Sequence, residues 1–207
     1  MLLIGQYDSP FVRRVAIALA LRGLAFEHRP WSTFRDADRF RHLGPLTKVP
    51  TLQLDDGTVL VDSHLILDWL EREAGGRSLW PAANAARRRA MALAGLATGT
   101  ADVTVSLFYE RALHPEPSPV LVARRSRQML DGLAALDTAA AGATGDWLGD
   151  ETMGHVDIAV AVAWRFALEG LPDLVRAEAF PALAAFGARL ERLPVFAAHA
   201  QPFVAPA

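Results

Sequence analysis

The spacing of apolar positions along the chain changes near residue 80. Up to that point short apolar runs alternate with amphipathic stretches; beyond it almost everything repeats at helical spacing. Residues 2–5 read as a short strand. Residues 10–22 carry a helical stripe of Phe11, Val15 and Leu19 flanked by Val12 and Ala16, closed by Gly23. Residues 26–29 predict a second strand and 35–42 a short polar helix. Two further strands, 51–54 and 58–61, flank Asp55-Asp56-Gly57, a hairpin signal. Residues 63–72 then gather Leu65, Ile66, Trp69 and Leu70 on one side of a helix. The predicted order is β-α-β-α-β-β-α: a right-handed βαβ unit, an antiparallel hairpin and a covering helix.

Gly75-Gly76 and Trp80-Pro81 punctuate the chain and predict a linker. Helical patterns follow at 85–113, 120–141, 155–169 and 181–193. Pro115, Pro117 and Pro119 separate the first two, and Pro172 and Pro194 close the last two. The pattern predicts an α/β domain over 1–76, a linker over 77–84 and an all-α helical bundle over 85–207.

Composition narrows the chemistry. The chain has 207 residues, 52% hydrophobic and 21% charged, with a formal net charge of −2. That is enough apolar material for a real core and too balanced a charge for disorder. The longest unbroken apolar runs fall short of the roughly 18–20 residues a bilayer span needs. The first residues lack a basic stretch followed by an apolar one, so cytoplasmic residence is expected, with no membrane partner. There is no cysteine, which excludes disulfides, thiolate metal sites and a cysteine nucleophile. If sulfur chemistry happens here, the sulfur arrives with a ligand. His28, His42, His64, His114, His155 and His199 show no helical ligand spacing, so no metal is expected. The arginine clusters at 87–89 and 124–127 lie in helical patterns and read as solvated faces, not as a nucleic-acid surface.

Three turns carry candidate chemistry. Ser9-Pro10-Phe11, after Tyr7-Asp8, is a well-formed helix start. It also places a hydroxyl where the first strand ends and the first helix begins, a usual ligand position in α/β sheets and one that favours anions. Lys48-Val49-Pro50 precedes the third strand. Pro is tolerated there, and a cis bond would turn the Val49 backbone outward to pair with an extended peptide, against the general trans preference. Asp62-Ser63 reads as a helix cap, or as a seat for a ligand carboxylate. Taken singly each has an ordinary structural reading. Taken in order they suit a small peptide carrying a thiol and a carboxylate.

The chain resembles the cytosolic glutathione transferase superfamily over nearly its whole length. Ser9-Pro10-Phe11 is similar to the Ser/Cys-Pro-Phe/Tyr activating motif, and residues 44–50 to Asn-Pro-x-Gly-Lys-Val-Pro. Residues 61–66 resemble the Glu-Ser-x-Ala-Ile segment, and Phe180-Pro181 through Phe186, with Arg192–Phe196, the terminal-helix signature. Met153-Gly154-His155-Val156-Asp157-Ile158 falls at the capping box and hydrophobic staple. Gly154 replaces the usual hydroxyl cap, so only Asp157 is expected to bond, while Met153 and Ile158 staple.

The resemblance implies a thioredoxin-like N-terminal domain, an all-helical C-terminal domain and a homodimer. It implies glutathione as co-substrate, without metal, and a small hydrophobic electrophile, as in detoxification. Ser9 is implied as the thiol-activating residue, with Tyr7 the second choice. Phe11, Lys48, Val49, Pro50, Asp62 and Ser63 are implied as glutathione-binding residues. Phe108, Tyr109 and Trp164 are candidates for a second-substrate cleft, each with an alternative reading as helix core. Arg13 and Arg14 could neutralise a ligand carboxylate or an acidic second substrate, but solvent exposure on the first helix is the expectation. A glutathione-dependent isomerase or dehalogenase, or a non-catalytic binding protein, shares the same motifs.

The magnitudes suffice. A free thiol titrates near pH 8.5, and lowering that by about two units takes roughly 2.7 kcal/mol. One charge-assisted hydrogen bond contributes about 1.5–3 kcal/mol and a helix N-terminus about 0.3–1. Ser9 would act as a donor, not as a base.

Overall fold

The computed structural model describes residues 1–73 and 75–204, which divide into two compact units. The first holds a four-stranded sheet in the order β2-β1-β3-β4. Its strands are β1 (Leu2–Ile4), β2 (Glu27–Arg29), β3 (Thr51–Gln53) and β4 (Val59–Val61). β1 and β2 are parallel, and β3 runs antiparallel to both β1 and β4. The helices of this unit are α1 (Pro10–Leu21), α2 (Ala37–Phe40) and α3 (Ser63–Glu73). This is the predicted thioredoxin-like order, with β2 beginning one residue late and α2 four residues long.

α1 packs against α3 and is buried at Val12, Val15, Ala16, Ile17, Ala18 and Leu19. A helix so apolar around its circumference has little room for a polar face. The Arg22 guanidinium closes the α1–α3 pair, donating to the Glu71 carboxylate at 3.0 Å and to the carbonyls of Leu70 and Gly75.

The second unit spans residues 79–193 and is all-helical: α4 (Asn84–Leu113), α5 (Pro119–Ala141), α6 (His155–Gly170) and α7 (Pro181–Glu191). α4 packs on α5 and α6, and α7 on the same two. α4 admits threonine into its packed face because Thr98, Thr100 and Thr104 donate to the carbonyls of Ala94, Leu96 and Thr100 at 2.6–3.0 Å. Although no unbroken apolar run is long, α4 as a whole has the length and composition to cross a membrane. Its inward positions Ala90, Ala94, Ala97 and Ala101 are buried inside the bundle.

The Asp157 side chain organises the start of α6. Its Oδ1 accepts from the Leu148 amide at 2.7 Å and its Oδ2 from the Gly154 amide at 2.9 Å. Burial pushes this carboxyl up, opposed by those amides. Only this half of the box forms, as glycine has no hydroxyl to offer. The absence of a side chain at 154 has its own cause. The Leu79 carbonyl lies directly over Gly154, where a Cβ would stand, and accepts from the His155 amide at 3.0 Å.

One boundary differs from expectation. The helix expected over 181–193 stops two residues short, and the residues after it, expected within the 85–207 bundle, group elsewhere. α7 ends at Glu191, and Pro194 opens a separate helix, α8 (Pro194–Ala198), which packs on α1 and belongs with the first unit. Pro194 reads as a terminator from sequence, yet a proline missing its N–H is equally suited to the first turn of a new helix.

Replacing Gly154 with serine, which would supply the missing hydroxyl, is expected to destabilise by about 1–3 kcal/mol, because the added Cβ meets the Leu79 carbonyl. Asp157→Ala is expected to cost about 2–4 kcal/mol by stranding two amides. Urea denaturation followed by far-ultraviolet circular dichroism measures both; a stabilised Gly154→Ser variant would contradict the steric account.

Candidate functional site

The strand register brings the three predicted turns to one end of the sheet. Thr51 pairs with Ile4 on one side and Val61 on the other, so the last residue of β1, the first of β3 and the last of β4 form one row. The segments 5–9, 47–50 and 62–63 all leave from that row.

Gly5 sets how closely they approach. Its φ is +129°, and a Cβ there would stand 2.5 Å from Val12 Cγ2 and 2.9 Å from Val49 Cβ. Only glycine lets α1 and the Val49 loop close on the end of β1. Both backbone groups of Gly5 are satisfied: its amide donates to the Arg29 carbonyl at 2.9 Å, and its carbonyl accepts from His28 Nε2 at 2.7 Å.

Ser9 is the N-cap of α1. Its Oγ accepts from the Val12 amide at 3.4 Å, and its carbonyl accepts the Arg13 amide at 3.0 Å. The side chain is half-buried. Capping uses a lone pair and leaves the hydroxyl proton to be donated elsewhere, so the two readings of this residue are compatible. Phe11, in the first turn of α1, is half-buried.

Tyr7 stands in a ring cluster. Its ring stacks on His28 at 3.8 Å between centroids and 4° between planes, and meets the edge of His199 at 5.4 Å. Burial pushes its phenol up to about 12. Burial likewise lowers His28, with the nearby His199 adding to the effect and the Gly5 carbonyl opposing it.

In the second turn Thr47 has φ +45°, the Val49–Pro50 bond is cis, and the Thr51 hydroxyl donates to the Lys48 carbonyl at 2.6 Å. Pro50 is buried, Val49 half-buried and Lys48 exposed.

In the third turn Asp62, with φ +77°, caps α3: its carbonyl accepts from the Ile66 amide at 3.0 Å and its Oδ1 from the His64 amide at 2.8 Å. Its Oδ2 accepts from Lys48 Nζ at 3.3 Å. Burial raises this carboxyl, but the His64 amide and the Lys48 ammonium outweigh it and hold it below the usual range. Lys48 and Asp62, both implied as ligand contacts, therefore face each other; a pair this exposed is weak and separates readily. Ser63 is 3% exposed, and its Oγ accepts from Arg14 Nη1 at 3.3 Å. As at Ser9, accepting leaves its own proton to donate.

The arginines of α1 correct the expectation of solvent exposure. Arg13 is 2% exposed and Arg14 4%. A signal was present in the sequence: with apolar residues on every side of α1, no solvated face remained for them. Sequence reasoning also missed Gly5, His28 and His199.

In the helical unit Trp164 is buried, at 4% exposure. It meets Phe180 edge-on at 5.9 Å, and its indole occupies the space where Gly187 would carry a Cβ. Phe108 is nearly buried against Phe166 at 5.9 Å, while Tyr109 is 36% exposed.

Two family models match the chain: "Glutathione S-transferase, N-terminal domain" over residues 3–78 and "Glutathione S-transferase, C-terminal domain" over 100–194. A glutathione S-transferase from Methylobacterium radiotolerans, solved with glutathione sulfonate, is 30% identical, covers 100% of this chain and 98% of its own, and superposes with a TM-score of 0.88. A glutathione transferase family member from Pseudomonas fluorescens, solved with glutathione, is 30% identical over 98% of this chain and 99% of its own, with a TM-score of 0.79. Maleylacetoacetate isomerase from Pseudomonas aeruginosa is 40% identical over 76 residues, 34% of this chain and 36% of that protein.

Because the folded state holds His28 below its ordinary value of 6.5, the unfolded chain takes up the proton first as pH falls. The His28 contribution to stability is therefore complete above about pH 6.5 and diminishes as pH drops below it. Thermal melts from pH 8 to pH 5 should show that decline, and His28→Gln, which keeps a donor for Gly5, should flatten it.

Proposed function

From the premise that this chain belongs to the glutathione S-transferase superfamily and is a glutathione S-transferase-like transferase, we propose that it binds glutathione and that Ser9 activates the thiol for attack on a small hydrophobic electrophile. The observation that carries the reading is the row of Ile4, Thr51 and Val61, from which the three turns leave together. The Ser9 hydroxyl retains its proton at the head of a twelve-residue helix. A thiolate placed there gains a donated hydrogen bond and the positive end of the helix dipole. The sulfur is supplied by the ligand, since the chain has no cysteine.

Ligand seats follow in order. The backbone of Val49, beside Pro50, pairs with the peptide as an added strand would. The Ser63 hydroxyl, held from behind by Arg14, and the amides at the start of α3 receive the γ-glutamyl carboxylate. Asp62 accepts the ligand's ammonium, and Lys48, released from Asp62, pairs with the glycyl carboxylate. Phe11 packs beside the sulfur. Tyr109, beside Phe108, offers apolar surface for the second substrate. The protein acts as a homodimer in the cytoplasm on this reading.

A second reading, a glutathione-dependent isomerase, is favoured by the 76-residue likeness to maleylacetoacetate isomerase. It uses the same thiolate. Assaying one preparation against an aryl halide and against maleylacetoacetate separates them.

Ser9→Ala should raise the pKa of the bound thiol by about one to two units and lower kcat/KM near pH 6.5 by about tenfold to a hundredfold, the activity returning as pH rises. Ultraviolet absorbance of the bound thiolate across pH reads the shift. An unchanged thiol pKa would remove Ser9 from the mechanism.

A further inference from the structure

The segment following α8 returns to the turn that carries Ser9. Arg13, buried to 2% exposure, donates from Nε to the His199 carbonyl at 2.8 Å, just past α8, and from Nη2 to the Phe196 carbonyl within it at 3.0 Å. Its guanidinium also lies 5.5 Å from the centre of the Phe196 ring. Beyond α8, Gln201 Oε1 accepts from the Tyr7 amide at 2.8 Å, and the Val204 amide donates to Asp8 Oδ2 at 3.2 Å. The His199 ring, its Nδ1 donating to the Val195 carbonyl at 2.7 Å, lies against Tyr7 and Phe26. Residues nearly two hundred positions apart thus grip the β1–α1 turn on both sides of Ser9: at Tyr7 and Asp8 before it, and at Arg13, whose amide bonds the Ser9 carbonyl.

A turn linking a three-residue strand to a helix has few internal bonds of its own. Among the described residues, the Gly5 amide donates to the Arg29 carbonyl and the Ser9 amide to the Gln6 carbonyl at 3.1 Å. The Tyr7 amide is satisfied by the Gln201 side chain. Removing that acceptor leaves a part-buried N–H to find water, and the turn that aims the Ser9 hydroxyl is released.

We propose that the segment 199–204 is a strap that fixes the β1–α1 turn, with Gln201 as a positioning residue for Ser9. The proposal rests on Ser9 acting as the thiol donor. Gln201 acts through the turn and touches no reacting atom. A displacement of even about 1 Å in a donor weakens its bond to a developing charge much more than it weakens ligand binding. The strap therefore governs thiol ionisation more than glutathione affinity.

The test compares the full chain with Gln201→Met, which keeps the side chain's bulk and loses the acceptor, and with a chain ending at Ala200, which retains both Arg13 anchors. Glu71→Gln serves as a control that weakens the Arg22 pair away from the turn. Hydrogen exchange, bound-thiol pKa, glutathione affinity and kcat are measured on each. Both strap variants should speed exchange of the Tyr7, Asp8 and Ser9 amides by about tenfold. They should raise the bound-thiol pKa by roughly half to one unit, a threefold to tenfold loss of thiolate at pH below that value, with glutathione affinity changed less than twofold. The Glu71→Gln control should lower the melting temperature and leave the thiol pKa in place. If Gln201→Met leaves both exchange and thiol pKa unaltered while Ser9→Ala raises the pKa, the strap is overturned and Ser9 stands. If Ser9→Ala is itself silent, the activation reading falls and the strap's role in it falls too. Should the truncated chain not fold, Gln201→Met decides alone.

Discussion

The site depends on a missing atom. Three elements meet at the end of β1, and the position where they meet is Gly5, held at a φ that suits glycine. Val12 of α1 and Val49 ahead of β3 both occupy the space a side chain would take. With any larger residue the strand row of Ile4, Thr51 and Val61 would persist, since it is fixed by backbone pairing. The turns leaving that row would move apart. The sheet thus determines which segments are neighbours, and the absence of one Cβ determines how near they come.

Charge buried inside the first unit does the complementary work. Arg13, Arg14 and Arg22 all arise from α1 or its cap, and each reaches a different segment: the carbonyls in and just past α8, the Ser63 hydroxyl, and the Glu71 carboxylate with the carbonyls around it. A guanidinium withdrawn from water must be compensated by acceptors, and its planar set of donors can serve several at once. Such a group is costly to misplace, because an orphaned buried cation loses its hydration without gaining partners. The three arginines therefore specify arrangement more than they add stability. Replacing any one with lysine would keep the charge and lose the fork.

Much of this was legible from residues alone. The alternation of strand and helix, the Asp-Gly hairpin, the break near residue 80 and the three turns are properties of local spacing, and local spacing is what a sequence displays. The half-formed box at Gly154 and Asp157 was legible too, because glycine cannot cap by side chain. What escaped depends on long-range placement. Arg13 and Arg14 sit among apolar residues, and their burial is decided by acceptors 183 to 186 positions away in one case and 49 in the other. Pro194 ends one helix and begins another, and which of these governs depends on where the following segment docks. Trp164 lies at helical spacing suited equally to a cleft or a core, and its packing against Gly187 is not visible in that spacing.

Tyr7 and Ser9 illustrate why neighbouring hydroxyls need not be interchangeable. Either remains protonated near neutrality, the phenol by its ordinary value and still more after burial has raised it, so protonation state does not choose between them. The surroundings do. The Tyr7 ring is stacked on one imidazole and edge-on to another, and burial that keeps a phenol neutral also withholds the solvation and dipoles an anion beside it would need. Ser9 stands at the end of a twelve-residue helix whose first amides point outward, so negative charge near its oxygen is favoured before any proton is donated. On the reading proposed for this protein, Tyr7 shapes the turn and Ser9 performs the activation. The division follows from where each lies on the helix axis, not from the chemistry of the hydroxyl.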